Sequence, residues 1–566
     1  MTYRAPIADF GFLLSHVLDF SKVAATARFS DATPDTVNAI LTEAARLCEI
    51  TLAPLNRAGD KVPARLENGI VRTSPGFAEG FRAMADGGWI GLSANPAHGG
   101  MGLPITLNSC VSEMMSSACL ALQLNPMLTQ GQIEALDHHA SDQLKAIYLP
   151  KLISGEWSGT MNLTEPQAGS DVGALKSRAE PNGDGSFAVT GQKIFITWGD
   201  ADFMANVCHL VLARLPDAEP GVKGISLFMV PKFLPDAAGN PGPRNALHVV
   251  SLEHKLGIHG SPTAVMQFDG ATGWLVGPPH KGMAAMFTMM NNARLGVGIQ
   301  GVAQAEAAFQ HALAYACDRK QGRTPHGQTA IIDHADVRRM LAEMKAETFA
   351  ARAIALACAV AIDMGRATGD AAHLARAALL TPIAKAYGTD TGHRVTHLGV
   401  QVHGGMGFIE DTGAAQFARD VRITQIYEGT NGIQAMDLVG RKMMDGGEAA
   451  FRLFDEMEDT AEAARTRLPD LATPVWNATE ALREATETLL AQEMNDRFAG
   501  SVPYLAAFAR VLGSHYHLTS AMADAGREAL ARFAIRRLLP EHAAMLAQAR
   551  EGAAGLYALT PEALAL

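Results

Sequence analysis

Local patterning along this chain changes twice, near Gly155 and again near Met283. Before the first change, apolar residues recur at helical spacing. Val37, Ile40, Leu41, Ala44 and Leu47 fall on one face, with Thr33 as cap and Pro34 at the first helical position, where its missing N–H does no harm. A glycine cluster at His98–Gly102 interrupts, and a second helical stretch runs from about Leu107 to Leu122. Between the two changes, Phe187–Thr190, Lys193–Thr197, Val207–Leu212, Ile225–Val230 and Ala264–Phe268 read as strands. Turn residues such as Asn182-Gly183 and Asp184-Gly185 separate them, so the spacing predicts an antiparallel sheet. Helical spacing then returns on the faces Val302, Ala305, Phe309, Leu313, Ala316 and Leu341, Met344, Thr348, Ala351, and such Ala-rich helices predict a bundle. After Asp445-Gly-Gly447 the chain is helical to its end. The expected fold is α+β: an N-terminal helical domain (1–154), a middle antiparallel β domain (155–282), a C-terminal helical bundle (283–445) and an additional C-terminal helical domain (446–566).

Composition removes several function classes. With 566 residues, 48% hydrophobic and 19% charged, the chain can bury several cores. A net charge of −11 disfavours a nucleic-acid partner. Six cysteines lie scattered without a C-x-x-C pair, which argues against a disulfide scaffold. Met1–Val23 contains Asp9, His16 and Asp19 and does not read as a signal peptide, and no run reaches the roughly 18 uncharged apolar residues of a membrane span. Cytoplasmic location is the expectation.

Gly296-Val-Gly-Ile-Gln-Gly301 matches a dinucleotide-binding fingerprint letter for letter, but that fingerprint needs a strand before it, and Met286–Arg294 has helical character. The glycines are expected to let bundle helices approach closely. No histidine sits in H-E-x-x-H and His138-His139 lacks a carboxylate at ligand spacing, so no metal site is expected. No G-x-S-x-G is present.

Three further segments admit two readings each. Met161–Asp171 is either an ordinary turn or a loop whose N–H and hydroxyl groups bind a polar ring edge or a phosphate. Gln401–Gly407 is a helix end or a close backbone approach to a ligand. Glu428, in Tyr427-Glu-Gly-Thr430, is a surface residue at a helix start or a held carboxylate. Taken jointly and in order, Thr164–Asp171, Ile194–Thr197, Gln401–Gly405 and Gln425–Thr430 resemble the acyl-CoA dehydrogenase family over residues from about 40 to 440, as does Lys255–Ser261.

The resemblance implies FAD as cofactor and α,β-dehydrogenation of an acyl-CoA thioester. Glu428 would remove the α proton, its carboxyl raised by desolvation from an ordinary ~4.3, while the β hydride goes to flavin N5. The N–H of Glu428 would meet the thioester oxygen, with Gly429 permitting close approach. Met161, Leu163 and Thr164 match positions along the ring edge, Phe195 an aromatic against the ring, and Thr197 a residue near N5. Ser170 matches a residue near the pyrophosphate and the CoA arm, and Arg319 a basic residue reaching the FAD pyrophosphate. Gln401, Gly404 and Gly405 would meet the adenosine half from a neighbouring subunit, and Thr430 and Gln434 would close the flavin site. Asn291, Arg294 and Tyr427 join Ser170 and Gly429 on the substrate side. Trp198 and Gln321-Gly322 depart from the common family pattern.

After Gln434, 132 residues remain, which resembles the large branch with an added helical domain. A DNA-binding alkylation-response relative shares that layout. Residues 446–566 carry 11 Arg, no Lys and 17 acidic residues, a poor match to phosphate. Within the branch, Tyr3–Leu14 and Asp318–Arg323 resemble members that oxidise 3-(methylthio)propanoyl-CoA in dimethylsulfoniopropionate breakdown, with short- or medium-chain fatty acyl-CoAs as the alternative. An electron-transfer flavoprotein as acceptor and a homodimer are further implications.

Overall fold

The computed structural model describes residues 3–236, 238–325, 327 and 330–566, those of Asn291 and Asn292 without their side chains. Helix α1 (Pro34–Leu47) begins as its sequence dictates: Thr33 Oγ1 accepts from the N–H of Thr36, Pro34 follows, and Leu41, Ala44 and Ala45 are buried. The second helical stretch is longer than its spacing predicts. It runs through α2 (Ile105–His139), whose backbone leaves helical geometry at Cys119 (φ −157°, ψ 89°). Beyond that kink the carbonyl of Ala121 accepts from the Trp198 indole N–H at 3.1 Å.

The middle region is a seven-stranded sheet built from β1 (Trp157–Asn162), β2 (Arg178–Pro181), β3 (Phe187–Thr197), β4 (Asn206–Arg214), β5 (Ile225–Pro231), β6 (Leu247–Leu252) and β7 (Thr263–Leu275). The two short runs around residues 187–197 are one strand. The order is β6-β7-β3-β2-β4-β1, with β5 pairing β7 and β4. Most pairings are antiparallel, but β1 lies parallel to β4, Trp157 opposite Asn206 through Asn162 opposite Val211, and β2 touches β4 in parallel at Arg178 and Arg214. Val189, Ile196, Val211, Phe228 and Phe268 form a core of their own inside this sheet.

Three long helices follow: α3 (Gly282–Asp318), α4 (Ala335–Thr368) and α5 (Ala371–His403). The glycines 296, 298 and 301 sit inside α3, with no strand and no turn before them. A methyl group on Gly298 would stand 2.5 Å from the carbonyl oxygen of Ala384, and one on Gly301 would stand 2.2 Å from that of Gly388. These glycines therefore bring α3 and α5 side by side, running in the same direction. Arg352 of α4, fully buried, ties the bundle to α2 by pairing with Glu113 (2.6 Å) and Glu306 (2.7 Å). Helices α2 and α4 are long and apolar enough to cross a membrane, but 89% and 83% of their most apolar windows are buried inside the protein, as core helices.

The remaining chain forms α6 (Asn431–Val439), α7 (Glu448–Ala464), α8 (Pro469–Ala491), α9 (Met494–Ala523) and shorter helices. It packs on the bundle: Arg510 of α9 pairs with Glu347 of α4 at 2.6 Å, and Gly513 lies against Ala350.

Candidate active site

Glu428 sits in a turn that folding alone would avoid. Its φ is +57°, followed by +85° at Gly429. The left-handed region costs a non-glycine residue about 1–3 kcal/mol unless the surroundings enforce it. They do. Gln434, fully buried on α6, donates from Nε2 to the carbonyls of Glu428 (3.3 Å) and Gly429 (3.4 Å). Lys385, fully buried on α5, donates from Nζ to the Gly429 carbonyl and to Asn431 Oδ1, each at 2.9 Å. Thr430 caps α6 by accepting from the N–H of Ile433. The φ of +85° at position 429 favours glycine, and a side chain there would also start 2.7 Å from Gln434 Nε2.

The turn leaves chemistry exposed. The backbone N–H groups of Glu428, Gly429 and Thr430 have no partner among the described residues, an arrangement suited to a developing oxyanion. The half-buried Glu428 carboxylate likewise receives no hydrogen bond from them. Burial pushes its carboxyl up to about 7, while the cations of Arg294 and Lys385 hold it below what burial alone would give. Arg294 is buried on α3 and pairs with Asp437 at 3.3 Å. Tyr427 donates from Oη to Gln300 Oε1 at 2.5 Å. A carboxylate near neutrality, flanked by cations and beside free N–H donors, can take a proton from carbon while an adjacent oxygen is stabilised.

The segment after β1 is pinned to β3. Thr164 accepts from the N–H of Ile194 at 2.9 Å. Glu165 accepts from Lys193 Nζ and the Lys176 N–H at 2.7 Å each, and from the Ser177 N–H at 3.1 Å. Burial would raise the Glu165 carboxyl, but Lys193 and these donors hold it down at about 2. Lys193 also donates to the Leu163 carbonyl at 3.0 Å. Leu163 and Thr164 are thereby tied to Lys193 and Ile194, next to Phe195 in the chain, while Met161 lies opposite Leu210 on β1. Between Ile196 and Lys193 the register of β3 on β7 shifts, so Ile194 and Phe195 together face Val265. At that bulge Phe195 takes φ +62° and stays 59% exposed. An aromatic face turned out by a bulge, beside the half-buried hydroxyls of Thr164 and Thr197, fits a flat polar ring. Ser170 is exposed on the same loop.

Helix α2 links the two halves. Thr129 Oγ1 accepts from the Gly159 N–H of β1 at 3.0 Å, and Met127 accepts from Gln300, the partner of Tyr427. The other expected residues lie elsewhere. Gln401 is 16 residues beyond Lys385 on α5, about 24 Å along the axis. Gly404 and Gly405 follow it, with open space where a side chain would be. Tyr315 stacks on His403 at 4.4 Å, which brings the exposed Arg319 to that same end of the bundle. The structure thus gathers Arg294, Tyr427, Glu428, Gly429, Thr430 and Gln434 around one turn, and Arg319, Gln401, Gly404 and Gly405 at a second place. The Asn291 side chain lies outside the described residues.

Sequence reasoning passed over Lys385, Gln300 and Lys193. One signal was available for Lys385: a lone cation in the apolar run Ala377–Tyr387, which has no reason to be there unless paired.

Comparison with known proteins agrees with this architecture. Residues 35–156, 160–271 and 280–444 match the family models described as acyl-CoA dehydrogenase N-terminal, middle and C-terminal domains, and 453–560 match one described as acetyl-CoA dehydrogenase C-terminal like. The chain is 47% identical over 520 residues to 3-methylmercaptopropionyl-CoA dehydrogenase of Ruegeria pomeroyi, covering 89% of this chain and 88% of that one. Butyryl-CoA dehydrogenase from Megasphaera elsdenii superposes with a TM-score of 0.61 at 26% identity, over 72% of this chain and 98% of the other. An acyl-CoA dehydrogenase from Bacillus anthracis, solved with FAD, superposes with a TM-score of 0.75 at 20% identity, over 97% and 93%.

Proposed function

The chain belongs to the acyl-CoA dehydrogenase family, and on that premise we propose that it oxidises 3-(methylthio)propanoyl-CoA to 3-(methylthio)acryloyl-CoA. The reaction class is FAD-dependent α,β-dehydrogenation of an acyl-CoA thioester. The observation that carries the assignment of its base is Glu428, a carboxylate near neutrality that receives no hydrogen bond from the described residues, next to an unpaired backbone N–H.

In this reading Glu428 takes the α proton and its own N–H, with that of Gly429, steadies the thioester oxygen. Tyr427, anchored on Gln300, limits movement of the turn on one side, and Lys385 limits it on the other. Arg294 keeps part of the carboxylate ionised near neutral pH, and Asn291 and Ser170 serve the substrate side. Bound FAD supplies the acceptor for the β hydride. Met161, Leu163, Thr164, Phe195 and Thr197 would hold its ring with Thr430 and Gln434, and Ser170 would reach its pyrophosphate. Arg319, Gln401, Gly404 and Gly405 would serve the cofactor of a second copy of the chain in a homodimer. Support comes from their distance from Glu428 and from the exposure of Phe408 (86%) beside them. An electron-transfer flavoprotein takes the electrons onward, and six free cysteines suit a cytoplasmic setting. The domain limits 154, 282 and 445 belong to the same proposal; each falls just before or within the first turn of a new element.

The thioether substrate draws its support from the 47% relative. Side-by-side kcat/KM for 3-(methylthio)propanoyl-CoA and butyryl-CoA tests it. Preference for the thioether chain is expected; a strong butyryl-CoA preference would keep the reaction class and overturn the substrate.

A further inference from the structure

A cavity of 400 Å³ opens where the hairpin of Arg65–Glu67 and Ile70–Arg72 meets the end of β6 and the turn that joins β6 to β7. None of the residues gathered around Glu428, and none in the loop after β1, lines it, so it is a separate place in the fold. Its walls are mostly apolar. Pro63 and Leu66 come from the hairpin and the residues before it, Val250 and Leu252 from β6, and Pro262 from the turn.

Two polar groups line this apolar space without a full set of partners. Ser261 is 0% exposed, and its Oγ bonds to nothing among the described residues. A buried hydroxyl left so is costly unless something enters to meet it. Lys255 Nζ donates once among the described residues, to the Ser261 carbonyl at 2.9 Å. That bond ties the ammonium to the residue with the free hydroxyl and leaves two of its three donors unspent. Burial pushes the Lys255 ammonium down to about 8, against the opposing pull of Asp420 and Glu253.

Most neighbouring charges are already engaged. His259 gives one ring nitrogen to Asp60 (2.9 Å) and the other to the Lys255 carbonyl (3.0 Å). Arg65 pairs with Glu67, and Asp420 accepts from the Ile258 N–H and from Gln416 Nε2. His254 is exposed, and Glu253 lines the cavity beside Lys255. One available cation, one free hydroxyl and apolar walls suit a ligand with a single negative head and an apolar body. Phosphate fits less well, since its second charge would meet Glu253 and it has no apolar part to cover Leu66 and Val250.

We propose that this cavity binds a monocarboxylate with an alkyl chain, its carboxylate between Lys255 Nζ and Ser261 Oγ and its chain along Leu66 and Val250. The site is additional to the acyl-CoA site and does not depend on the reading of that site.

Isothermal titration calorimetry of the flavin-loaded full chain with octanoate, octanamide and inorganic phosphate tests it. Octanoate is expected to saturate with a Kd below about 10 mM, with octanamide at least about 10-fold weaker and phosphate weaker still. Lys255→Met should weaken octanoate by about 10-fold or more and Ser261→Ala by about 3-fold or more. Val250 is 46% exposed, and Val250→Glu, which sets an anion beside the chain, should weaken it by about 10-fold. Octanoate that fails to saturate, or that binds all three variants as it binds wild type and so lies elsewhere, overturns the proposal. If Lys255→Met does not fold, unchanged binding to Val250→Glu with wild-type flavin content does so. Phosphate binding more tightly than octanoate overturns the ligand class.

Discussion

Two glutamates in this protein sit beside buried lysines and end in opposite states. Glu165 takes a direct bond from Lys193 and two backbone N–H groups, and its carboxyl is held at about 2. Glu428 has Lys385 nearby, yet that ammonium spends its hydrogen bonds on the Gly429 carbonyl and Asn431, and the Glu428 carboxyl rises to about 7. Both lysines are themselves pushed down to about 8 by burial. Proximity of opposite charge is therefore not what separates a fixed anion from a base. The destination of the lysine's hydrogen bonds is: to the carboxylate, it locks a loop; to the backbone beside it, it holds the turn and leaves the carboxylate free to exchange a proton.

The contrast can be broken from either side. Glu428→Gln should retain the flavin spectrum and lose bleaching by acyl-CoA, the rate falling by about 10²–10⁴-fold in stopped-flow absorbance. Lys193→Met strips a buried anion of its partner, and denaturant unfolding should show a loss of about 3–5 kcal/mol with weakened flavin retention. Glu428 itself works against stability. Because its folded pKa lies above the unfolded value of ~4.3, the folded state loses ground as pH rises from there through about 7. Unfolding of cofactor-free protein should thus find Glu428→Gln more stable than wild type by about 3 kcal/mol above pH 7, with the difference gone below pH 4. Glu165 has the opposite sign: its contribution is present above ~4.3 and disappears as pH falls toward about 2. The smallest effect is expected from Lys385→Met. Wild-type kcat/KM should rise with pH around an inflection near 7, since the base must be ionised. Removing the ammonium should move that limb upward by about one unit, and an unmoved limb would deny Lys385 any influence on the base.

Local signals carried much of the architecture and none of the long-range register. The Thr33 cap, the Pro34 start and the bundle faces depend on neighbours within a few residues, and they are visible as letters. The glycines 296, 298 and 301 were readable as helix contacts because no strand precedes them. The Cys119 kink was not readable: apolar spacing runs straight through it, and the Trp198 indole that bonds the Ala121 carbonyl just beyond it comes from 77 residues away. The parallel pairing of β1 with β4 joins segments about fifty residues apart and leaves no mark in either. At the site, Glu428 and its turn were legible as a motif. The bulge that exposes Phe195 was not, because it exists only in the register between β3 and β7. Lys385 was not legible as part of the site because its bonds to Gly429 and Asn431 join residues 44 and 46 apart in the chain.

The positive φ at residue 428 also bears on how this protein can change. A glycine there would relieve the backbone and remove a half-buried acid, so Glu428→Gly should fold at least as well while losing the base. Laboratory evolution selecting only for heat resistance would find that substitution attractive, and a lineage released from the need to turn over substrate would drift the same way. The residue persists against the preference of its own fold, which makes position 428 a sensor of whether selection on a descendant still includes catalysis.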